Sequence, residues 1–208
     1  MRCLAIGIFA MLGTSAVAEP DFGAVLVDPA KSRVLLSIPD DMIVGYTHHG
    51  VGEIEYSREW LSKQDFGAQD LKADPEWACL AEAIYFEARG ESVKGQFAVA
   101  EVILNRVDSA EFPDSICKVV NQGTGRKYAC QFTYTCDGMP EKINEPKAFD
   151  RVSKVAHVMT EGAERALTDG ATHYHTKSVN PNWSRVFSRT ATIGYHHFYR
   201  MPTRVSSN

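Results

Sequence analysis

"LAEAIYFEARGES", Leu80 to Ser92, decides how this chain is read. It sets Glu82, Glu87 and Glu91 among apolar residues and runs into Gly90. Just upstream, Asp74-Pro75-Glu76 is a helix start: Asp74 can cap, Pro75 suits the first helical position, and an acid follows in the first turn. Trp77, Leu80, Ala81, Ile84, Tyr85 and Ala88 then recur at spacings of three and four, the stripe of an amphipathic helix that Gly90 ends. At about 100° per residue, Glu82 falls on the water face, whereas Glu87 falls on the edge of the stripe beside Leu80 and Ile84. Shelter there disfavours the charged carboxyl, raises its pKa and makes Glu87 a usable general acid near neutral pH. Glu91 lies past the helix end. For any one of the three glutamates taken alone, a solvated helix charge is the ordinary role.

Outward from this helix, "QFAVAEVILNRV" is apolar on nearly every face and predicts a second, buried helix that stops near Asp108. Glu101 and Asn105 lie four apart on it. Asn105 is expected to tie the helix to a neighbouring backbone, because buried polar groups need partners, and Glu101 to mark an exposed strip. "EFPDSICKVVNQ" holds a short helix, "GTGRKYACQFTYTCDGMP" is loop and extended chain, and Lys147 to Ala166 is a third helix candidate. From Thr172 to Arg200, aromatic and β-branched residues predict short strands and loops.

The composition is that of an ordinary globular chain: 208 residues, 44% apolar and 23% charged, enough for one domain with a sizeable core plus appendages. Residues 1–18, "MRCLAIGIFAMLGTSAVA", have one positive charge, an apolar run too short to span a bilayer, and small residues at Ala16 and Ala18. That is the pattern of a secretory signal peptide cleaved after Ala18, and it predicts export to the periplasm or cell envelope with no membrane span remaining. Loss of Arg2 takes the formal net charge from −4 to about −5, without the basic footprint of a nucleic-acid binder. Residues 19–74 are expected to be an extension or linker with one or two strands possible, 75–202 the main domain, and 203–208 a tail. Four cysteines remain after cleavage: Cys79, Cys117, Cys130 and Cys136. In an exported chain they read as two disulfides, with three pairings open, rather than a zinc knuckle, because no C-x-x-C is present.

Four blocks in fixed order carry a family resemblance: "AEAIYFEARGESVKGQFAVAEVILNRV", "FPDSICKVVNQ", "CQFTYTCDG" and "ATHYHTKSVNPNWSR...IGYHHFYR". From about Trp77 to Arg200 the chain resembles the SleB-type cell wall hydrolases, named for a spore cortex-lytic enzyme. The resemblance implies a mainly α (α+β) fold, a lysozyme- or lytic-transglycosylase-like helical core with short strands and loops, acting on peptidoglycan glycan strands. It implies that Glu87, the first Glu of the EARGE block, is the catalytic acid. The chain departs from the family at Glu101, where relatives commonly have a small apolar residue, and in its four cysteines, which fit a periplasmic relative better than a spore enzyme.

The implied chemistry is cleavage of the β-1,4 bond between N-acetylmuramic acid and N-acetylglucosamine. A hydrolase of the paired type needs a second carboxylate, for which Glu91, Glu101 and Asp137 are all available; a lytic transglycosylase needs only Glu87, and neither needs a metal or organic cofactor. Gln131, Thr133 and Tyr134 of "QFTYT", together with Tyr85 and Tyr174, are the candidate substrate-binding residues, and Phe86 and Phe132 are expected in the core. From His173 onward there is no acid, while Lys177, Arg185, Arg189, Arg200 and Arg204 lie among Trp183, Phe187, Tyr195, Phe198 and Tyr199. That surface suits an anionic glycan, or is an aromatic core edged by solvated Arg. His173 and His175 on one strand face raise a zinc-dependent wall amidase as an alternative. A catalytically weak wall-binding module, or a regulator of another hydrolase, is the other alternative, and a protein regulator of this chain is a possible partner.

Overall fold

A computed structural model of the chain describes residues 26–28, 33–35, 53–64, 74–126 and 129–202. The signal peptide, most of the 19–74 extension and the 203–208 tail lie outside the described residues. The chain divides into two compact units, Met1–His49 and Gly50–Asn208. In the first, strands β1 (Leu26–Asp28) and β2 (Arg33–Leu35) pair antiparallel, Val27 opposite Val34.

The second unit is mainly helical with one small sheet. It takes in residues 53–64, ahead of the boundary expected at residue 75. The short helix α1 (Arg58–Ser62) is capped by Ser57, whose side chain accepts from the Trp60 N–H, and Leu61 is 1% exposed. Tyr56 and Trp60 set their rings edge-on to Phe97, at 5.2 and 6.4 Å. Single aromatic residues flanked by charge gave no helical period, yet they close one side of the core.

Helix α2 (Pro75–Ala88) begins as its sequence dictates: Asp74 accepts from the N–H groups of Glu76 and Trp77 at 2.9 and 3.3 Å. Its stripe of Trp77, Leu80, Ala81, Ile84, Tyr85 and Ala88 is buried. Leu80 and Ile84, wholly removed from water, are each worth about 1.5–3 kcal/mol of transfer free energy. Polar atoms of α2 also organise its neighbours. Trp77 Nε1 donates to the Ser153 carbonyl of α5 (Pro146–Thr160), and Glu76 accepts from Ile116 and Cys117 at the start of α4 (Ile116–Val120). The disulfide Cys79–Cys117 fastens α2 to α4, and Cys130–Cys136 closes the loop around a 3₁₀ turn at Thr133–Cys136.

Helix α3 (Val93–Val107) is buried on nearly every face, as expected. Helix α5 ends at Thr160, six residues short of the predicted end. Gly162 takes φ +86°, its N–H bonds to Met159 O, and that of Ala163 bonds to Val158 O. This Schellman closure overrides the helix-forming residues that follow it. The last third forms an antiparallel sheet in the order β3 (His173–Thr176), β5 (His196–Arg200), β4 (Ser188–Ile193). Phe198 packs inward on Ala98, Val102 and Ala171, laying the sheet against α3. Among the described residues no helix is long and apolar enough to cross a membrane.

Candidate active site

Glu87 sits in the last turn of α2, one residue before the helix ends. That end is held by Gln96 of α3, whose side-chain amide donates to the carbonyls of Ala88, Arg89 and Glu91 at 3.3–3.4 Å. Gln96 opens the apolar run, and nothing in its local pattern marks the contact. On the sheet side, the Tyr174 hydroxyl donates to Glu87 Oε2 at 2.9 Å. Burial pushes the Glu87 carboxyl above the ordinary carboxylate range; the Tyr174 hydrogen bond and the Arg106 charge pull it back only in part. Tyr174 is itself buried next to this acid, which holds its hydroxyl protonated far above the usual pH and keeps it a donor.

Arg106, in the last turn of α3, is 3% exposed. Its Nε donates to the Thr172 carbonyl at 2.7 Å, and its guanidinium lies between the rings of Phe112 and Phe132, 5.5 and 5.4 Å from their centroids. It was not singled out in the sequence, although a cation near the end of "AVAEVILNRV" was a usable signal.

Of the residues expected to bind substrate, Tyr174 and Tyr134 stand close to Glu87. Tyr134 stacks on Phe86 at 4.5 Å and feels the charges of Glu82, Glu87 and Glu141; burial first, then these acids, drive its hydroxyl pKa up. Phe86 and Tyr134 wall a cleft of about 360 Å³ shared with Asp137, Met139 and Glu141. Phe86 packs against the core as expected and also presents its ring to the cleft, and Phe132 is buried as expected. Thr133 is exposed and Gln131 half-buried; among the described residues neither hydrogen-bonds to Glu87.

Tyr85 requires a correction. It is 2% exposed, and its hydroxyl accepts from the N–H groups of Asn144 and Glu145, both at 3.1 Å. There it holds the chain entering α5, so it is a buried anchor and not a groove wall.

Of the three carboxylates considered as a second acid, Glu91 and Glu101 are engaged elsewhere, and Asp137 lines the cleft with Phe86 and Tyr134. Glu91 accepts from Tyr195 N at 3.1 and 3.2 Å and lies 3.2 Å from the His196 ring, binding the α2–α3 turn to the β4–β5 turn. Burial lowers the His196 pKa, with Glu91 opposing part of the shift. Glu101, expected on an exposed strip, is 1% exposed and accepts from Leu167 N, Thr168 N and Thr168 Oγ1. Those three donors, 66 and 67 residues away, are why the helix tolerates a buried acid. Beside it, Asn105 donates to the Ala171 carbonyl at 2.9 Å, the structural tie expected of it. Asp137 is exposed and accepts from Met139 N. Glu82, placed on the water face by helical geometry, is half-buried, and burial and Glu141 raise its pKa.

The histidine pair shares a strand face but is otherwise engaged. His173 packs among Trp183, Phe187 and Phe112, and burial beside Arg106 lowers its pKa to about 4. His175 uses both ring nitrogens, on Tyr199 Oη and Thr176 O. Among the described residues no group of three His, Cys, Asp or Glu side chains is placed to hold a metal ion. Trp183, Phe187 and Tyr199 pack with these rings, Phe198 is wholly buried, and Tyr195 is exposed, so the aromatic segment is largely a small core rimmed by cations. Arg204 lies outside the described residues.

The spore cortex-lytic enzyme of Halalkalibacterium halodurans is 34% identical over 140 residues, 61% of this chain and 35% of that protein. The spore cortex-lytic enzyme of Oceanobacillus iheyensis is 58% identical over 41 residues, 20% of this chain and 15% of that one. The chain therefore spans about a third or less of the length of these curated relatives. Among solved structures, the catalytic domain of the germination-specific lytic transglycosylase SleB of Bacillus anthracis gives a TM-score of 0.48 at 27% identity, covering 66% of this chain and 100% of that domain. The family model described as Cell Wall Hydrolase matches residues 90–199, beginning three residues after Glu87. That match takes in just over half of the chain, which belongs to the cell wall hydrolase family.

Proposed function

We propose that this chain cleaves the β-1,4 bond between N-acetylmuramic acid and N-acetylglucosamine in peptidoglycan as a lytic transglycosylase, with Glu87 as its acid and then its base. The observation that carries this is the sheltered Glu87 carboxyl, its pKa raised by burial and its Oε2 held by the Tyr174 hydroxyl, while Glu91 and Glu101 are committed to other donors and Asp137 in the cleft is exposed to water. One sheltered acid, with the cleft's Asp137 exposed to water, suits transglycosylation. Protonated Glu87 gives its proton to the glycosidic oxygen as the C1–O bond breaks and positive charge develops at C1 of the muramyl ring. The muramyl 6-hydroxyl then attacks C1, its proton passes to the Glu87 carboxylate, and the product ends in 1,6-anhydromuramic acid. Every proton is accounted for, water is not consumed, and the chemistry calls on no metal or organic cofactor.

On this reading the helices form a lysozyme- or lytic-transglycosylase-like core, Tyr134 and Phe86 line the glycan groove, and Gln131 and Thr133 meet sugar hydroxyls farther out. Residues 1–18 direct export to the periplasm or cell envelope, where the disulfides form. The name of the curated relatives, spore cortex-lytic enzyme, supports the substrate class.

Mass spectrometry of soluble products from isolated peptidoglycan tests the mechanism. Anhydromuramyl ends, unaffected by EDTA, are expected. Reducing ends would mean hydrolysis and a second carboxylate; no cleavage would favour a wall-binding module.

A further inference from the structure

Among the described residues, Arg106 is a buried cation without an ion pair, its one hydrogen bond goes to the Thr172 carbonyl, and its Nη1 is buried with no partner. Among the described residues no carboxylate lies within ion-pair distance of it. Taking a guanidinium out of water is unfavourable unless the charge is compensated. The rings of Phe112 and Phe132 compensate in part by facing the cation. A packing role alone needs no charge at this position.

The groups that share the field of Arg106 indicate what the charge is for. They are Glu87 on α2 and Tyr174 and His173 on β3. His173 is neutral at physiological pH, because burial and Arg106 hold its pKa to about 4, so it does not duplicate the charge. Tyr174 stays protonated. That leaves Glu87 as the one group of the three whose charge changes during the proposed reaction. The Thr172 carbonyl that Arg106 grips is two residues before Tyr174, so the contact also fixes the strand that delivers the Tyr174 hydroxyl to Glu87.

We propose that Arg106 is a positioning residue for the acid–base cycle of Glu87: its guanidinium is the counter-charge held in reserve for the carboxylate that Glu87 becomes after giving up its proton. The inference rests on Glu87 being the acid and base. It gives the buried site a charge that is idle while Glu87 is protonated and engaged during the part of the cycle when it is not, without an ion pair that would lock Glu87 ionised from the start.

The test compares Arg106→Gln, which keeps a donor and loses the charge, with Arg106→Lys, which keeps the charge. Both use the full, disulfide-bonded protein. Two readouts are taken: the pH profile of glycan cleavage, and the titration of Glu87 followed by carbonyl-labelled glutamate NMR, its signal assigned by absence in Glu87→Gln. Because Glu87 must start protonated, activity falls as pH rises through its pKa. Arg106→Gln is expected to move that alkaline limb and the NMR midpoint to higher pH and to lower kcat about 10²-fold with little change in KM. Arg106→Lys is expected to keep both near the wild-type position. A folded Arg106→Gln with an unmoved midpoint, or a loss confined to KM, would overturn the inference and leave Arg106 a structural tie. If Arg106→Gln does not fold, Arg106→Lys decides by rate, because it keeps the charge and loses the Nε–H bond to the Thr172 carbonyl: kcat near wild type with an unmoved midpoint supports the counter-charge, and a loss of kcat with an unmoved midpoint, or a raised midpoint, overturns it. Failure of the underlying reading looks different, because Glu87→Gln would then cleave glycan at the wild-type rate while the NMR midpoint still reports the effect of Arg106.

Discussion

Replacing Gly194 with Ala is expected to loosen the candidate site without touching it. Gly194 lies in the β4–β5 turn at φ +57°, a left-handed conformation that costs a residue with a Cβ roughly 1 kcal/mol or more. A Cβ there would stand on Glu91 Oε2, with the carboxyl carbon only 3.1 Å away. The carboxylate would have to leave Tyr195 N, and a hydrogen bond to a charged group is worth about 1.5–3 kcal/mol. Together these predict a loss of about 3 kcal/mol, or a Tm lower by roughly 6–12 °C for a unit of this size. Urea and thermal unfolding of Gly194→Ala in the wild-type and Glu91→Ala backgrounds separate the two contributions. In the Glu91→Ala background the cost should fall to about 1 kcal/mol, the backbone part alone. An equal cost in both backgrounds would refute the role assigned to Glu91 as the strap between the α2 end and the sheet.

Other predictions follow from the same interactions. Glu87→Gln should be more stable than wild type at pH 7, with the gap closing toward pH 4: a carboxyl whose folded pKa is raised favours the fold while protonated and loses that contribution as pH rises, and unfolding at the two pH values checks this. Tyr174→Phe removes a bond that steadies the Glu87 carboxylate, so the alkaline limb of the glycan-cleavage profile should move to higher pH. The disulfides should rank by the loops they close: 38 residues for Cys79–Cys117, at most about 4 kcal/mol, against 6 for Cys130–Cys136, about 2 kcal/mol, as read from denaturation of the two double-Ala variants.

What the sequence made legible was local. Asp74-Pro75-Glu76 started α2 because cap, ring and acid act within one turn, and the stripe from Trp77 to Ala88 marked its buried face. The sheltered edge on which Glu87 lies followed from the same periodicity. What stayed hidden depends on chain far away. Periodicity put Tyr85 on the buried stripe, but only the approach of Asn144 and Glu145 gave its hydroxyl a structural use in place of a sugar contact. Glu101 looked solvent-facing because its three donors come from Leu167 and Thr168. The pairing of four cysteines was open until α2 and α4 were side by side. The early end of α5 was nearer to hand, in the glycine of "TEGAE", and helix-forming neighbours masked it.

In the proposed reaction one carboxyl, Glu87, does the acid–base work. The most direct measurement is the rate at which purified protein releases soluble fragments from isolated peptidoglycan, for wild type and for Gln variants of Glu82, Glu87 and Glu91 matched for fold. Glu87→Gln should lose at least about 10²-fold, while the other two retain most of the rate once stability is matched. Wild-type turnover by Glu87→Gln, or an equal collapse on replacing Glu82 or Glu91, would contradict the account.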